Sequence, residues 1–405
     1  MSDSPDNLLA MPARARLSTM FFLEYLGMGF IYPVMSLYLR DTLHFTGAQT
    51  GAVIAMASIA AFIYPVAGAM LADRVIAKER LLAVCQIVSA VLLAVLAFQT
   101  RYLPVAVLYL CYNLAFGPTL ALATAIAFHH LPGKRNYFGS VRVWGTIGWI
   151  AAAWLFGLAR LCLGGQGRLR DAFLLSAASS VILAVHMLLH HPVERIQPVT
   201  KIIPWDALRV VAQRRVLFIA VVMFLGSFFI RFYYMGFAPF LAARGLRQAF
   251  IMPLMSLGQM SEIAAMSLLA VLVPRLGFKR MLMLGAGLAL VQSALFSANA
   301  AWPFIVAGIV CHGLIYALIN VTALMHVDSF CPAQARAGVH QILALLSTGF
   351  ATLAGSLASG WALDWATRAG VVDYHRFWLV SAGVASLLLA LVTLFSSEPE
   401  TDGDR

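Results

Sequence analysis

Apolar residues gather into long continuous runs along this chain, near 17–39, 50–72, 81–99, 104–128, 138–162, 172–189, 216–241, 249–273, 280–298, 302–326, 337–363 and 377–395, each bounded by turn or charge signals. A helix crossing a bilayer needs roughly 20 such residues, so the pattern predicts twelve spans joined by short loops. The longest interruption, His190 to Arg215, follows the sixth run. It predicts an N-terminal six-helix bundle over 17–189, a cytoplasmic linker over 190–215 and a C-terminal six-helix bundle over 216–395, with cytoplasmic ends at 1–16 and 396–405. Within the linker, Trp205, Leu208, Val211 and Ala212 recur at helical spacing opposite Arg209 and Gln213, which fits a short helix on the membrane surface. The first run is too long for a signal core, and Asp3 and Asp6 stand where a leader carries positive charge, so it is expected to stay as a helix.

Composition sharpens the class. Of 405 residues, 61% are hydrophobic and 11% charged, against about 25% charged in a soluble domain. Mean hydropathy is +0.86. A soluble enzyme or binding module is excluded, and after twelve spans little chain remains for a separate catalytic domain. The net charge of +11 points to no nucleic-acid partner, because in a membrane protein the placement of basic residues matters more than their sum. With the N-terminus inside, all four lysines (Lys78, Lys134, Lys201, Lys279) fall in cytoplasmic segments, whereas external loops hold only arginines, including Arg40, Arg101, Arg160 and Arg244. That bias sets both termini in the cytoplasm of a bacterial inner-membrane protein. The odd, scattered cysteines and the pairs His129–His130 and His190–His191 lack metal-ligand spacing. No metal and no cofactor are expected.

Polar residues inside the runs are the candidate chemistry. Arg142, Thr146 and Trp149 recur at i, i+4 and i+7 and share a helix face. They offer fork-like cationic donors, a hydroxyl and an aromatic ring, which suits a polar ring-bearing solute. A buried arginine is costly and should face a cavity or a carboxylate; the alternative is that Arg142 snorkels to the cytoplasmic surface. Gln259 and Glu262 lie three apart near the middle of the eighth run. A carboxylate there must be paired or protonated, which suits a proton relay or a structural ion pair, and the glutamine fits a sugar diol, a base edge or a helix-to-helix bond. His312, Tyr316 and Asn320 form a polar stripe at i, i+4 and i+8, lining either substrate or a packing seam. Asn113 and Thr124 read as interhelical bonds. The spans hold two cations, Arg142 and Arg231, and two acids, Glu24 and Glu262, so pairing among them is expected. Proton coupling falls to Glu262 first, by its midplane position, and to Glu24 second, with pairing to Arg231 as the latter's structural alternative.

Matching basic loops after the second and eighth runs, Asp73-Arg74 with Lys78 and Arg80 and Arg275 to Arg280, point to duplication of a six-span unit. This organisation resembles the major facilitator superfamily, whose conformational loop motif would include Asp73 and Arg74. Val141-Arg142-Val143-Trp144-Gly145 through Trp149, Gly258-Gln259-Met260-Ser261-Glu262, His312-Gly313-Leu314-Ile315-Tyr316 and Gly277-Phe278-Lys279 resemble segments of its nucleoside:proton symporter branch. The resemblance implies a twelve-helix all-α fold of two six-helix bundles around a central cavity. It also implies a substrate site containing Arg142, Thr146, Trp149, Arg231, Tyr234, Gln259, Glu262, His312 and Tyr316. The chain departs from the branch where Ala317 replaces an aspartate, Gln292 an arginine, Met28 and Ile31 tryptophans, and Glu24 a glutamine; Arg231 and Tyr234 stand for glutamine and asparagine. The function expected is proton-coupled uptake of a nucleoside-like solute by a monomeric carrier in the lipid bilayer. Alternatives are a permease of the phenylpropionate and oligosaccharide branch, which shares the Val-Arg-x-Trp-Gly segment, and an efflux carrier of the same fold. A channel would need a continuous polar pore, a receptor a signalling domain, and an enzyme a nucleophile or metal cluster.

Overall fold

A backbone in hydrocarbon must satisfy its own hydrogen bonds, which leaves helices as the spanning element for an unbroken apolar run. The computed structural model describes residues 13–72, 77–131, 138–162, 168–190 and 205–395. Asp73, Arg74, the linker before Trp205 and both terminal segments lie outside the described residues.

Each apolar run is a helix. The first span, Ala13–Thr42, is α-helical to Ile31, tightens to a 3-10 turn at Tyr32–Val34 around Pro33, and closes in a π turn at Tyr38–Thr42. Proline cannot donate to the helical ladder, which explains the local change of pitch. Spans two to six are Gly47–Ala72, Lys78–Leu96, Tyr102–His130, Phe138–Cys162 and Asp171–His190. A linker helix, Trp205–Val211, precedes the seventh span, Arg214–Ala243. Helical structure then runs from Gln248 to Ser297, interrupted at Gly277 where φ is 76°, a conformation glycine takes without a Cβ penalty. The eighth span is therefore 248–276 and the ninth 278–297. The tenth, Trp302–Phe330, contains a π turn at Ala317–Val321, and the eleventh, Ala333 to Trp365, one at Leu345–Ala351. A hairpin pairing Thr367–Arg368 with Val371–Val372 leads to the twelfth, Tyr374–Phe395.

The chain forms two compact units, and their boundaries interleave in the sequence. The first takes Met1–Phe45, Ile59–Ile202 and Gly245–Pro253; the second takes Thr46–Ser58, Ile203–Arg244 and Leu254–Arg405. In the first, span one packs against five and six. Ser176 and Ser179 donate to the carbonyls of Gly27 and Leu23, both at 2.9 Å. Arg160 donates to Gln248 at 2.6 Å.

In the second unit, span seven packs against eleven and twelve over an aromatic core of Phe232, Phe237, Phe240, Phe296, Phe377 and Trp378. The start of span two is seated there on span eleven, where Asp364 accepts from the Gly47 and Ala48 amides at 2.5 and 2.7 Å. The linker helix packs on 333–344 by burying Ala207 and Val211, while Leu208 stays exposed. Val91, Leu103, Trp154, Leu158, Val181, Leu284 and Leu387 are large apolar residues exposed along the spans, as a lipid-facing surface requires.

Candidate substrate and proton sites

In the first unit, the face predicted for span five turns inward. Arg142, Thr146 and Trp149 are half-buried, while Trp144 and Ile147 on the other side are exposed. Gly148 lets spans one and five meet, since a Cβ there would overlap the carbonyl of Phe22. This close approach brings Arg142 onto the first span. Its guanidinium lies 4.2 Å from the centroid of the Tyr25 ring and 5.7 Å from that of Phe21, and donates to the Tyr25 hydroxyl. The partner found for this cation is thus an aromatic clamp, where charge balance predicted a carboxylate. Stacking leaves the edge of the guanidinium fork available to a planar or anionic acceptor. Trp149 rests 5.9 Å from Tyr32.

Glu24, on the same span, is 1% exposed. Its carboxyl meets the Thr119 hydroxyl at one oxygen and the Gln86 amide, 3.3 Å away, at the other. Both partners are neutral, in place of the cation expected from the charge count. Neither Gln86 nor Thr119 was singled out from sequence. The available signal was an amide well inside the third apolar run and a hydroxyl next to Pro118 in the fourth.

In the second unit, spans seven, eight and ten meet at His312. This histidine is 4% exposed, stacks on Tyr233 at 3.6 Å between centroids with the rings 14° apart, and takes the Tyr234 ring edge-on at 5.8 Å. Its Nδ1 is buried without a protein partner. Tyr233, also missed in the sequence, forms one side of this aromatic box. Arg231 stands 5.1 Å over the Tyr234 ring. Span eight approaches through Gly258, and Gly313 of span ten is pressed so close that a Cβ would overlap the Gly258 carbonyl and the Ser261 hydroxyl. The Ser261 hydroxyl lies 2.8 Å from the carbonyls of both Gly258 and Val310, its one proton available to either. Gln259 and Glu262, half-buried, sit on this segment.

The tenth-span stripe is altered by its π turn, which breaks the 3.6-residue phase after Tyr316. Asn320 is buried and accepts from Ser227 at 3.2 Å, while Tyr316 is 39% exposed. Asn113 and Thr124 bond back to the carbonyls of Tyr109 and Leu120 within their own helix, so the interhelical role read for them is not what they do.

Two polar faces on a twelve-span scaffold are the structural frame of a solute carrier, and the comparisons decide which kind. The family described as Nucleoside H+ symporter matches residues 11–401. The chain belongs to that family. Among relatives, YegT of Escherichia coli (strain K12) is 28% identical, with 97% of this chain and 96% of YegT covered. Nucleoside permease NupG of the same organism is 26% identical, with 95% and 96% covered. The crystal structure of nucleoside transporter NupG superposes with a TM-score of 0.86 at 23% identity, covering 96% of this chain and 100% of that one. The fold is therefore the twelve-helix major facilitator fold, and the symporter family weighed in the sequence matches.

Proposed function

We propose that this nucleoside H+ symporter family member takes up a nucleoside, or a solute of closely similar shape and polarity, together with a proton. The observation that carries the reading is the Arg142 face, a guanidinium held by Tyr25 beside Thr146 and Trp149, in a chain matched by the family along nearly its whole length. NupG is named a nucleoside permease, and a further Escherichia coli relative, 26% identical, a xanthosine permease.

Each unit carries a polar face of its own. Arg142 and Thr146 bind hydroxyls or ring carbonyls while Trp149 packs on a ring. In the second unit, Gln259 pairs two donors and an acceptor with a base edge or sugar diol; His312, Tyr316, Arg231 and Tyr234 accompany it, the buried Nδ1 of His312 being suited to a ligand hydrogen bond. The coupling proton sits on an intramembrane carboxyl, Glu262 or Glu24. Neutralisation removes the cost of carrying a naked charge through the low-dielectric span, so the protonated, loaded carrier reorients and releases both cargoes to the cytoplasm. The protein works in the bacterial inner membrane as a monomer, with both termini cytoplasmic and Asp73 and Arg74 in the conformational loop. It is a carrier with no enzymatic step.

Binding to the purified protein tests the site. Nucleosides should raise its thermal stability, as any ligand selective for the folded state does, and Arg142→Ala and Gln259→Ala should each weaken binding by about 1–3 kcal/mol through loss of charged or buried hydrogen bonds. Normal binding by both variants would show that these positions are structural.

A further inference from the structure

The hydrogen-bond geometry at Glu24 bears on where a proton sits. Thr119 has one hydroxyl proton and two lone pairs. Its oxygen lies 2.6 Å from the Phe116 carbonyl and also touches a Glu24 oxygen, and its one proton can serve only one of the two. Gln86 points its amide nitrogen at the Thr119 oxygen and at one Glu24 oxygen, both at 3.3 Å, spending its two protons on them. With the hydroxyl proton on the Phe116 carbonyl, the remaining contact, between Thr119 and the other Glu24 oxygen, draws no proton from Thr119 or Gln86. It closes, with the Phe116 bond kept, when Glu24 is a neutral carboxylic acid donating to the hydroxyl; an ionised Glu24 would take the hydroxyl proton from the Phe116 carbonyl. The two lone pairs of Thr119 are then filled by Gln86 and Glu24, and every contact in the cluster holds one hydrogen.

We infer that Glu24, set between Gln86 and Thr119, is the residue that carries the coupling proton, and that the structure holds it in the protonated state. This assignment rests on the proton-coupled reading above and chooses between its two carboxyls. Ionisation would leave a charge 1% exposed with two neutral partners, a state whose desolvation is uncompensated. It would also turn the Thr119 hydroxyl from the Phe116 carbonyl to the carboxylate, so proton loss re-pairs spans one, three and four together.

Among the described residues, Cys85 on span three and Tyr112 on span four feel the charge of Glu24, and neither supplies positive charge. On the flanking spans, Arg142 is engaged by Tyr25, and His186 contacts the Arg16 carbonyl at 3.0 Å. Gln86 and Thr119 act as positioning residues. They stabilise the acid form and give the released proton a defined origin.

The test uses the full-length protein in lipid vesicles, by infrared spectroscopy without substrate and by transport of radiolabelled uridine and adenosine. The wild type should show the carbonyl stretch of a protonated carboxyl at neutral pH. Glu24→Gln should remove that band, Thr119→Val should shift it, Thr119→Ser should restore it, and Glu262→Gln should leave it in place. Glu24→Gln, which imitates the neutral acid and keeps its bond to Thr119, should retain nucleoside counterflow and lose accumulation driven by a pH gradient. A band unchanged by Glu24→Gln, or undiminished pH-driven accumulation in that variant, would overturn the assignment. Absence of pH-driven accumulation in the wild type, with the Glu24 band present, would instead overturn the coupled-uptake reading. Should Glu24→Gln fail to fold, the Thr119 pair decides the matter by the shift and recovery of the band.

Discussion

Arg142 and Tyr25 show what one residue reveals of itself in a sequence and what it conceals. A cation within an apolar run stands out, because every such charge needs a reason. Its clamp does not, since a tyrosine in a span serves equally well as packing, and only the closeness of spans one and five at Gly148 brings its ring under the guanidinium. The same holds at Glu24, whose acid was legible while its neutral partners, arriving from two other spans, were not. Removing the hydroxyl alone, Tyr25→Phe, should weaken nucleoside affinity by about 0.5–1.5 kcal/mol, the net worth of one hydrogen bond. Tyr25→Ala should cost more, because the stacking goes too. Calorimetric titration of both variants checks the order, and equal affinity in wild type and Tyr25→Ala would show that the clamp does not prepare Arg142.

Helices were the most readable elements, since a run of roughly 20 apolar residues permits little else. Their phase was less so. The π turn at Ala317–Val321 separates Tyr316 from Asn320, an outcome of packing that a strict 3.6-residue period does not contain. Glycine positions give a prediction with a sign. Gly313→Ala forces a methyl into the Gly258 carbonyl and should destabilise the protein by about 1–3 kcal/mol. Gly383→Ala, where nothing lies within 4 Å, should be neutral or stabilising by about 0.5–1 kcal/mol from helix propensity alone. Thermal unfolding in detergent separates the two, and similar midpoints would contradict the contact at Gly313. At the seam of spans two and eleven, Asp364 caps two amides, so Asp364→Ala should cost about 0.5–2 kcal/mol, with Asp364→Asn milder because an acceptor remains. The same unfolding assay reads this, and an unchanged midpoint in Asp364→Ala would remove the cap from the account.

At the scale of the molecule, twelve apolar runs foretold twelve spans, but the compact units exchange Thr46–Ser58 and Gly245–Pro253 across the sequence midpoint. Hydropathy records which segments are buried in lipid and carries no record of which neighbours they choose. Orientation rests on the lysine bias. A cytoplasm-active reporter fused after Arg195 or Arg405 should give signal and one after Arg101 or Arg244 should not, whereas signal at all four would refute the topology. The central claim, proton-driven nucleoside uptake by this carrier, is tested most directly by flux. In vesicles containing only the purified protein, an inward proton gradient should drive a labelled nucleoside above its external concentration, and a protonophore should collapse the accumulation. Nucleoside that merely equilibrates, unmoved by the gradient or the protonophore, would contradict it.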